Sequence, residues 1–189
     1  MEIKSVTGFA KSVLEELERT LPAIDPKEAE RFVELVLNAN NIFVAGAGRS
    51  GLAVKGFAMR LMHMGLDAHV VGETTTPNIQ KDDLLVIGSG SGETASLTCH
   101  AKKAKDIGAG LALVTIFSKS TIGSLADVTV TIPAPTPKVA AAAGFQSIQP
   151  MGSLFEQSLF LFFDTVILML MNQKRDDSDN MFKKHANLE

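Results

Sequence analysis

Five short apolar runs alternate with stretches of helical periodicity, and that alternation leaves few architectures open. The runs fall at residues 41–45 (NIFVA), 68–71, 83–87, 110–116 (GLALVTI) and 128–132. Helical patterns occupy residues 50–64 and 93–107, with a shorter one near 121–125. A strand with one wet face alternates apolar and polar residues. A run without that alternation is covered on both faces, as in parallel sheets flanked by helices. The pattern predicts an α/β fold: a five-stranded parallel sheet, doubly wound into a three-layer α/β/α sandwich. Ligands of such sheets bind beyond the carboxyl ends of the strands.

Two amphipathic helices precede the sheet. The first spans residues 6–21, with Phe9, Val13, Leu14 and Leu17 at helical spacing. The second opens at Asp25-Pro26-Lys27-Glu28, which supplies a cap, a proline at the first helical position and an acid at the third. Its apolar positions are Phe32, Leu35 and Val36. A chain of 189 residues suits one domain, and we expect residues 1–38 and the tail 174–189 to make subunit contacts. The loop at residues 133–151 is rich in Pro, Ala and Gly and longer than a plain connection, so a functional or interface role is expected. Residues 154–171 (LFEQSLFLFFDTVILMLM) contain Glu156, Gln157 and Asp164. Their uninterrupted apolar runs fall far short of the roughly 20 residues that a membrane crossing needs. We read them as a helix buried inside the domain or between subunits, with no membrane partner. Asp164, if buried there, needs a polar partner.

Composition narrows the functional classes. Hydrophobic residues make up 46% and charged residues 21%, which argues against disorder. A net charge of -3 without a basic block argues against nucleic acid as a partner. Cys99 is the sole cysteine, so no intramolecular disulfide forms, in keeping with a cytoplasmic location. We expect it to pack within its helix. The N-terminus is laced with Glu and Lys and has no signal-peptide pattern.

Two glycine-serine turns carry the chemistry. Gly46-Ala47-Gly48-Arg49-Ser50-Gly51 follows the first strand and opens a helix. It matches the dinucleotide fingerprint, and Glu73 after the second strand is a plausible ribose partner. Gly88-Ser89-Gly90-Ser91-Gly92-Glu93-Thr94 repeats the arrangement after the third strand, with three hydroxyls. Small residues let the backbone approach a ligand, and a helix N-terminus binds anions. A dinucleotide needs one such turn, whereas two turns, one of them rich in hydroxyls, suit a phosphate monoester. The competing view makes Ser91 an N-cap and the glycines turn formers.

The pair GAGRS and SGSGET resembles the SIS (sugar isomerase) domain family over nearly the whole chain. The stretches at residues 60–77 (RLMHMGLDAHVVGETTTP), 151–157 (MGSLFEQ) and 185–189 (HANLE) are similar to the 6-phospho-3-hexuloisomerase branch. The resemblance implies conversion of D-arabino-hex-3-ulose 6-phosphate to D-fructose 6-phosphate, with no metal and no redox cofactor. It also implies a homo-oligomer, usually a tetramer, with active sites near subunit contacts. Its pathway partner would be hexulose-phosphate synthase of the ribulose monophosphate pathway, which makes the substrate from formaldehyde and ribulose 5-phosphate.

Moving a carbonyl from C3 to C2 requires a base, a proton donor, a cationic or N–H-rich setting for the enediolate and a phosphate anchor. By resemblance, Glu156 in GSLFEQ is the base, with Phe155, Phe160 and Phe163 desolvating it. Residues alone also allow Ser153 and Glu156 to form a capping box. Arg49 is a candidate for steadying the enediolate, or else a surface ion-pair partner. Gly48 and Ser50 are candidate substrate contacts, Ser50 also as a cap, while Ser89, Ser91 and Thr94 are candidates for the phosphate. His63 is either a proton shuttle or a residue favoured at a helix C-terminus. His185 is a weaker candidate, contributed by another subunit. His69 and His100 have no supporting motif. Two other classes remain: a dinucleotide-dependent oxidoreductase on Gly46 to Gly51, and a non-catalytic sugar-phosphate sensor.

Overall fold

The computed structural model describes residues 5–136 and 145–188. Helices α1 (Val6–Thr20) and α2 (Pro26–Asn38) lead into β1 (Ile42–Gly46), α3 (Gly48–His63) and β2 (Ala68–Val70). Then come β3 (Leu84–Gly88), α4 (Ala95–Ile107), β4 (Gly110–Thr115) and β5 (Val128–Thr131). Helices α5 (Ser153–Lys174) and α6 (Ser178–Phe182) follow. All strand pairs are parallel, in the order β2-β1-β3-β4-β5. The expected five-stranded, doubly wound α/β sheet is therefore what forms. Two details differ: residues 121–125 make turns rather than a short helix, and α5 starts and ends beyond 154–171.

Strand parity explains the two cores. Ile42, Val44, Val86 and Val114 point to one face and pack under α2, α3 and α5. Phe43, Ala45, Leu85, Ile87 and Leu113 point to the other, against Leu97, Ala101 and Ala104 of α4. Each face is apolar, which is why the strand sequences do not alternate. On α2, Asp25 caps the helix by accepting from the Lys27 N–H at 2.8 Å. Glu28 does not reach back to the cap. Its Oε2 accepts the Thr131 N–H at 2.8 Å, satisfying a donor on the edge strand β5.

Helix α5 is long and apolar enough to cross a membrane, with mean hydropathy 1.7 over its central window. Its pattern of burial fits a core helix. Leu154, Leu159, Phe163, Val166 and Leu170 lie in the core, and α5 packs along α3. Asp164 is exposed on it, which removes the partner problem expected for a buried carboxylate. Cys99 is also exposed rather than packed. In the tail, Met181 packs into the chain's own core, so this part of residues 174–189 docks on its own protomer. Residues 137–144 of the long loop lie outside the described residues.

Candidate functional site

Register fixes where the two turns meet. Gly46 at the end of β1 pairs with Gly88 at the end of β3. The chain leaves β1 toward β2 on one side and β3 toward β4 on the other. The turns therefore flank the switch point of the sheet, where open α/β sheets bind ligands. The first turn is tight by necessity: a Cβ on Gly51 would come within 2.8 Å of the Gly46 carbonyl oxygen. Gly48, at φ +57, occupies the left-handed region, where side chains are strained. That glycine pattern is explained by close packing of α3 on β1. Glu73, the acid expected on a ribose, instead pairs with Lys55 at 3.1 Å.

A cavity of about 310 Å³ opens beside these turns. It is lined by Ser50 from the first turn, Gly90 and Ser91 from the second, Ile116 and Phe117 after β4, and Phe155 and Glu156 from α5. Glu156 reaches it from the first turn of α5. The capping box does not form: Gly152 is the N-cap, Ser153 is the first helical residue, and no side chain caps the helix. The Glu156 carboxylate instead meets Arg49, with Nε 2.6 Å from Oε2. That oxygen is buried, and the contact is a close ion pair, with the Arg49 side chain 60% and the Glu156 side chain 21% exposed. Thr136 Oγ1, Gln157 Oε1 and Ser158 Oγ are buried without a hydrogen-bond partner. Such atoms are few in folded proteins, and here they gather around one end of α5.

The second turn divides its hydroxyls. Ser89 is buried, and its Oγ accepts the Gly92 N–H at 3.2 Å, holding the loop in shape. Ser91 lines the cavity, and its Oγ accepts the Glu93 N–H at 3.2 Å. The N-cap of α4 is Thr94 rather than Ser91, and it makes no side-chain cap bond. Among the described residues the start of α4, whose N-cap lies three residues beyond the cavity-lining Ser91, thus has no side-chain cap, and its N–H groups suit an anion. Glu93 accepts the Thr121 N–H at 2.6 Å, which ties the turn after β4 to the loop. Hydrogen bonding from the Thr121 side chain, and then from its N–H, holds the Glu93 carboxyl below the usual carboxylate range.

His63 and His185 are not in this cavity. His63 ends α3, about 21 Å along the helix axis from Arg49. There it is buried, stacked on His185 at 5.4 Å between ring centres, with Arg60 Nη1 at 3.3 Å from its Nδ1. Burial, then the Arg60 and His185 charges, hold its pKa below the ordinary histidine value. These residues line a separate groove of about 460 Å³ with Asp164, Leu168 and Phe182. Of the candidates, the structure brings Arg49, Ser50, Ser91 and Glu156 together and pairs His63 with His185 elsewhere. Gly48 precedes Arg49 in the first turn and Thr94 is the N-cap of α4, but neither lines the cavity, and Ser89 is turned into its own loop. Sequence reasoning did not find Ile116, Phe117, Thr136 or Met151. Ile116, Phe117 and Thr136 come from strand ends and loops with no motif of their own, whereas Met151 opens the MGSLFEQ stretch, a signal that could have found it.

The SIS domain pattern matches residues 35–161 of this chain. A 3-hexulose-6-phosphate isomerase of Bacillus subtilis is 50% identical over 183 residues, covering 97% of this chain and 98% of that one. The 3-hexulose-6-phosphate isomerase of Mycobacterium gastri is 39% identical, covering 97% of this chain and 92% of that one. A crystal structure from Methanococcus jannaschii, which infers a molecular function of 3-hexulose-6-phosphate isomerase, superimposes with a TM-score of 0.81 at 34% identity. It spans 95% of this chain and 96% of that one. The chain belongs to the SIS domain family and, within it, to the 3-hexulose-6-phosphate isomerases.

Proposed function

We propose that this chain interconverts D-arabino-hex-3-ulose 6-phosphate and D-fructose 6-phosphate through an enediolate. Glu156 removes the C2 proton. The C3 carbonyl oxygen gains negative charge, which Arg49 steadies across the cavity. The protonated Glu156 returns its proton to C3, and the O2 proton passes to O3 through an acid that serves the oxygens, with no net change in protons or electrons. Ser91, Thr94 and the start of α4 hold the phosphate, with Ser89 shaping the loop, and Ser50 and Gly48 face the sugar. The observation that carries this reading is the contact of Arg49 with Glu156, which lines a cavity at the switch point flanked by two anion-suited turns.

The acid that serves oxygen is assigned to His63, with His185 beside it, from a second copy. Support comes from surface character. Leu52 and Met59 on α3 and Phe160, Leu161 and Leu168 on α5 are exposed, Leu52 at 67% and Leu168 at 64%. A two-fold axis near Gly56, midway along α3, would bury these residues and lay the two α3 helices antiparallel. Each His63 would then stand at the Arg49 end of its neighbour. This reading makes the protein a homo-oligomer, a tetramer by family likeness, with helices 1–38 and the tail in further contacts. It works in the cytoplasm beside a hexulose-phosphate synthase, without metal or redox cofactor.

The test is a coupled assay in which synthase generates the hexulose phosphate from formaldehyde and ribulose 5-phosphate. Fructose 6-phosphate should accumulate only when this chain is present, and equally after exhaustive chelation. No product from a folded sample rejects the reading.

A further inference from the structure

The cluster around Glu16 is not part of the site described above, yet it leads into it. Glu16 sits on α1 and is 7% exposed. Its carboxylate accepts three hydrogen bonds from one short segment far along the chain. Ser147 Oγ donates to Oε2 at 2.7 Å, Gln149 Nε2 to Oε2 at 2.9 Å, and the Ile148 N–H to Oε1 at 2.7 Å. Ser147 Oγ also accepts the Gln149 N–H at 3.0 Å, closing the knot. Arg19, one turn on along α1, lies 5.9 Å over the Phe145 ring. Burial alone would raise the Glu16 carboxyl, but the bonds from Gln149, Ile148 and Ser147 and the Arg19 charge outweigh it and hold it low. Both carboxylate oxygens are bonded by the loop, which commits this carboxylate to holding it.

The loop it holds runs directly into the catalytic helix. Pro150 accepts the Ser153 N–H, and Gly152 accepts the Glu156 N–H at 3.0 Å. Met151 between them has φ +55, a left-handed conformation that a non-glycine residue keeps only when its surroundings impose it. Met151 and Gly152 line the same cavity as Glu156. We infer that Glu16 is a positioning residue for the proposed isomerisation: by clamping residues 147–149 it sets the first turn of α5 and so the place of the Glu156 carboxylate. The inference rests on the proposed role of Glu156.

The experiment compares wild type, Glu16→Ala, Glu16→Gln and the loop-side pair Ser147→Ala and Gln149→Ala. Two measurements are made on the full chain: amide hydrogen exchange, and kcat and KM with hexulose phosphate. In Glu16→Ala, exchange should quicken across residues 145–156 and not across the sheet. At the same time kcat should fall about ten- to a hundred-fold with KM moved less than three-fold, because small misplacements of a reacting group cost that much. Glu16→Gln should recover most of the rate, since Ser147 and Gln149 can reverse their donor and acceptor roles. The loop-side variants should reproduce the kcat loss without altering α1, which covers the case of a poorly folded Glu16→Ala. Unchanged exchange in the loop, or faster exchange everywhere with kcat per folded molecule intact, overturns the inference. If wild type itself lacks isomerase activity, the proposed function is what fails, and the exchange result alone decides the clamp.

Discussion

The two rims of the sheet use carboxylates in opposite ways. At the amino-terminal rim, Asp83 and Asp127 are fully engaged. Asp83 accepts the Asn41 N–H and side-chain amide at 3.1 and 2.8 Å and the Gln80 N–H at 2.7 Å. Asp127 accepts the Leu111 N–H at 2.8 Å and Lys105 Nζ at 2.7 Å. At the carboxyl-terminal rim, Glu156 lines a cavity and is paired with Arg49, whose side chain is 60% exposed, rather than with fixed backbone N–H groups. A carboxylate whose lone pairs are filled by fixed N–H groups is a fastener. One whose partner is an exposed side chain at the edge of a cavity can exchange that partner for a substrate proton. Residue type does not separate the two cases, but partner geometry does.

The largest expected effect comes from the cavity carboxylate. Glu156→Gln should lower kcat by about a hundred- to ten-thousand-fold, the range for losing a general base, while the thermal midpoint barely moves. A comparable loss of stability would place Glu156 with the fasteners. Next is the phosphate turn. Bonds to a charged group are worth about 1.5–3 kcal/mol each, so Ser91→Ala should raise KM ten-fold or more without lowering stability. Ser89→Ala should do the reverse, because its oxygen serves the Gly92 N–H. Steady-state kinetics and denaturant unfolding on the pair distinguish the two roles.

The fasteners should give the complementary result. Asp83→Asn places an amide against a fixed donor, at a cost of about 1–3 kcal/mol, read as a lower urea midpoint with kcat of the folded enzyme retained. The smallest effect is at His63, which lies near the amino-terminal rim yet is assigned to chemistry. Its folded pKa is below the unfolded value, so the unfolded chain binds the proton first as pH falls. Its contribution is fully present above the ordinary value of 6.5 and is lost as pH drops from there through the folded pKa. His63→Gln should flatten the stability profile in that window, and an unchanged slope would mean that the histidine is not buried as described.

How much of this could be read from sequence follows from the range of the interactions involved. Strand runs and turns are local, so the sheet and both glycine-serine turns, Arg49 among them, were within reach of residue patterns, whereas Glu156 as a base came only with the family resemblance. Capping was misread for a local reason as well: Ser153 and Glu156 have the right spacing, but the helix begins one residue earlier than a Ser153 cap requires. The remaining misses concern distance. Nothing in its own helix tells that Glu28 would serve Thr131 or that His63 would stack on His185. Glu16 did leave a trace, an acid between Val13, Leu17 and Thr20 on the inward face of α1. Its partners 131 residues away were visible only once the chain was folded.

Proton exchange at carbon tests the central claim most directly, because it reports the base without requiring a complete turnover. Fructose 6-phosphate is incubated with enzyme in deuterium oxide, and deuterium at C3 is followed by NMR. Wild type should introduce deuterium at that carbon, whereas Glu156→Gln should leave it protonated over the same period. Exchange by Glu156→Gln at the wild-type rate would remove Glu156 from the chemistry and contradict this account.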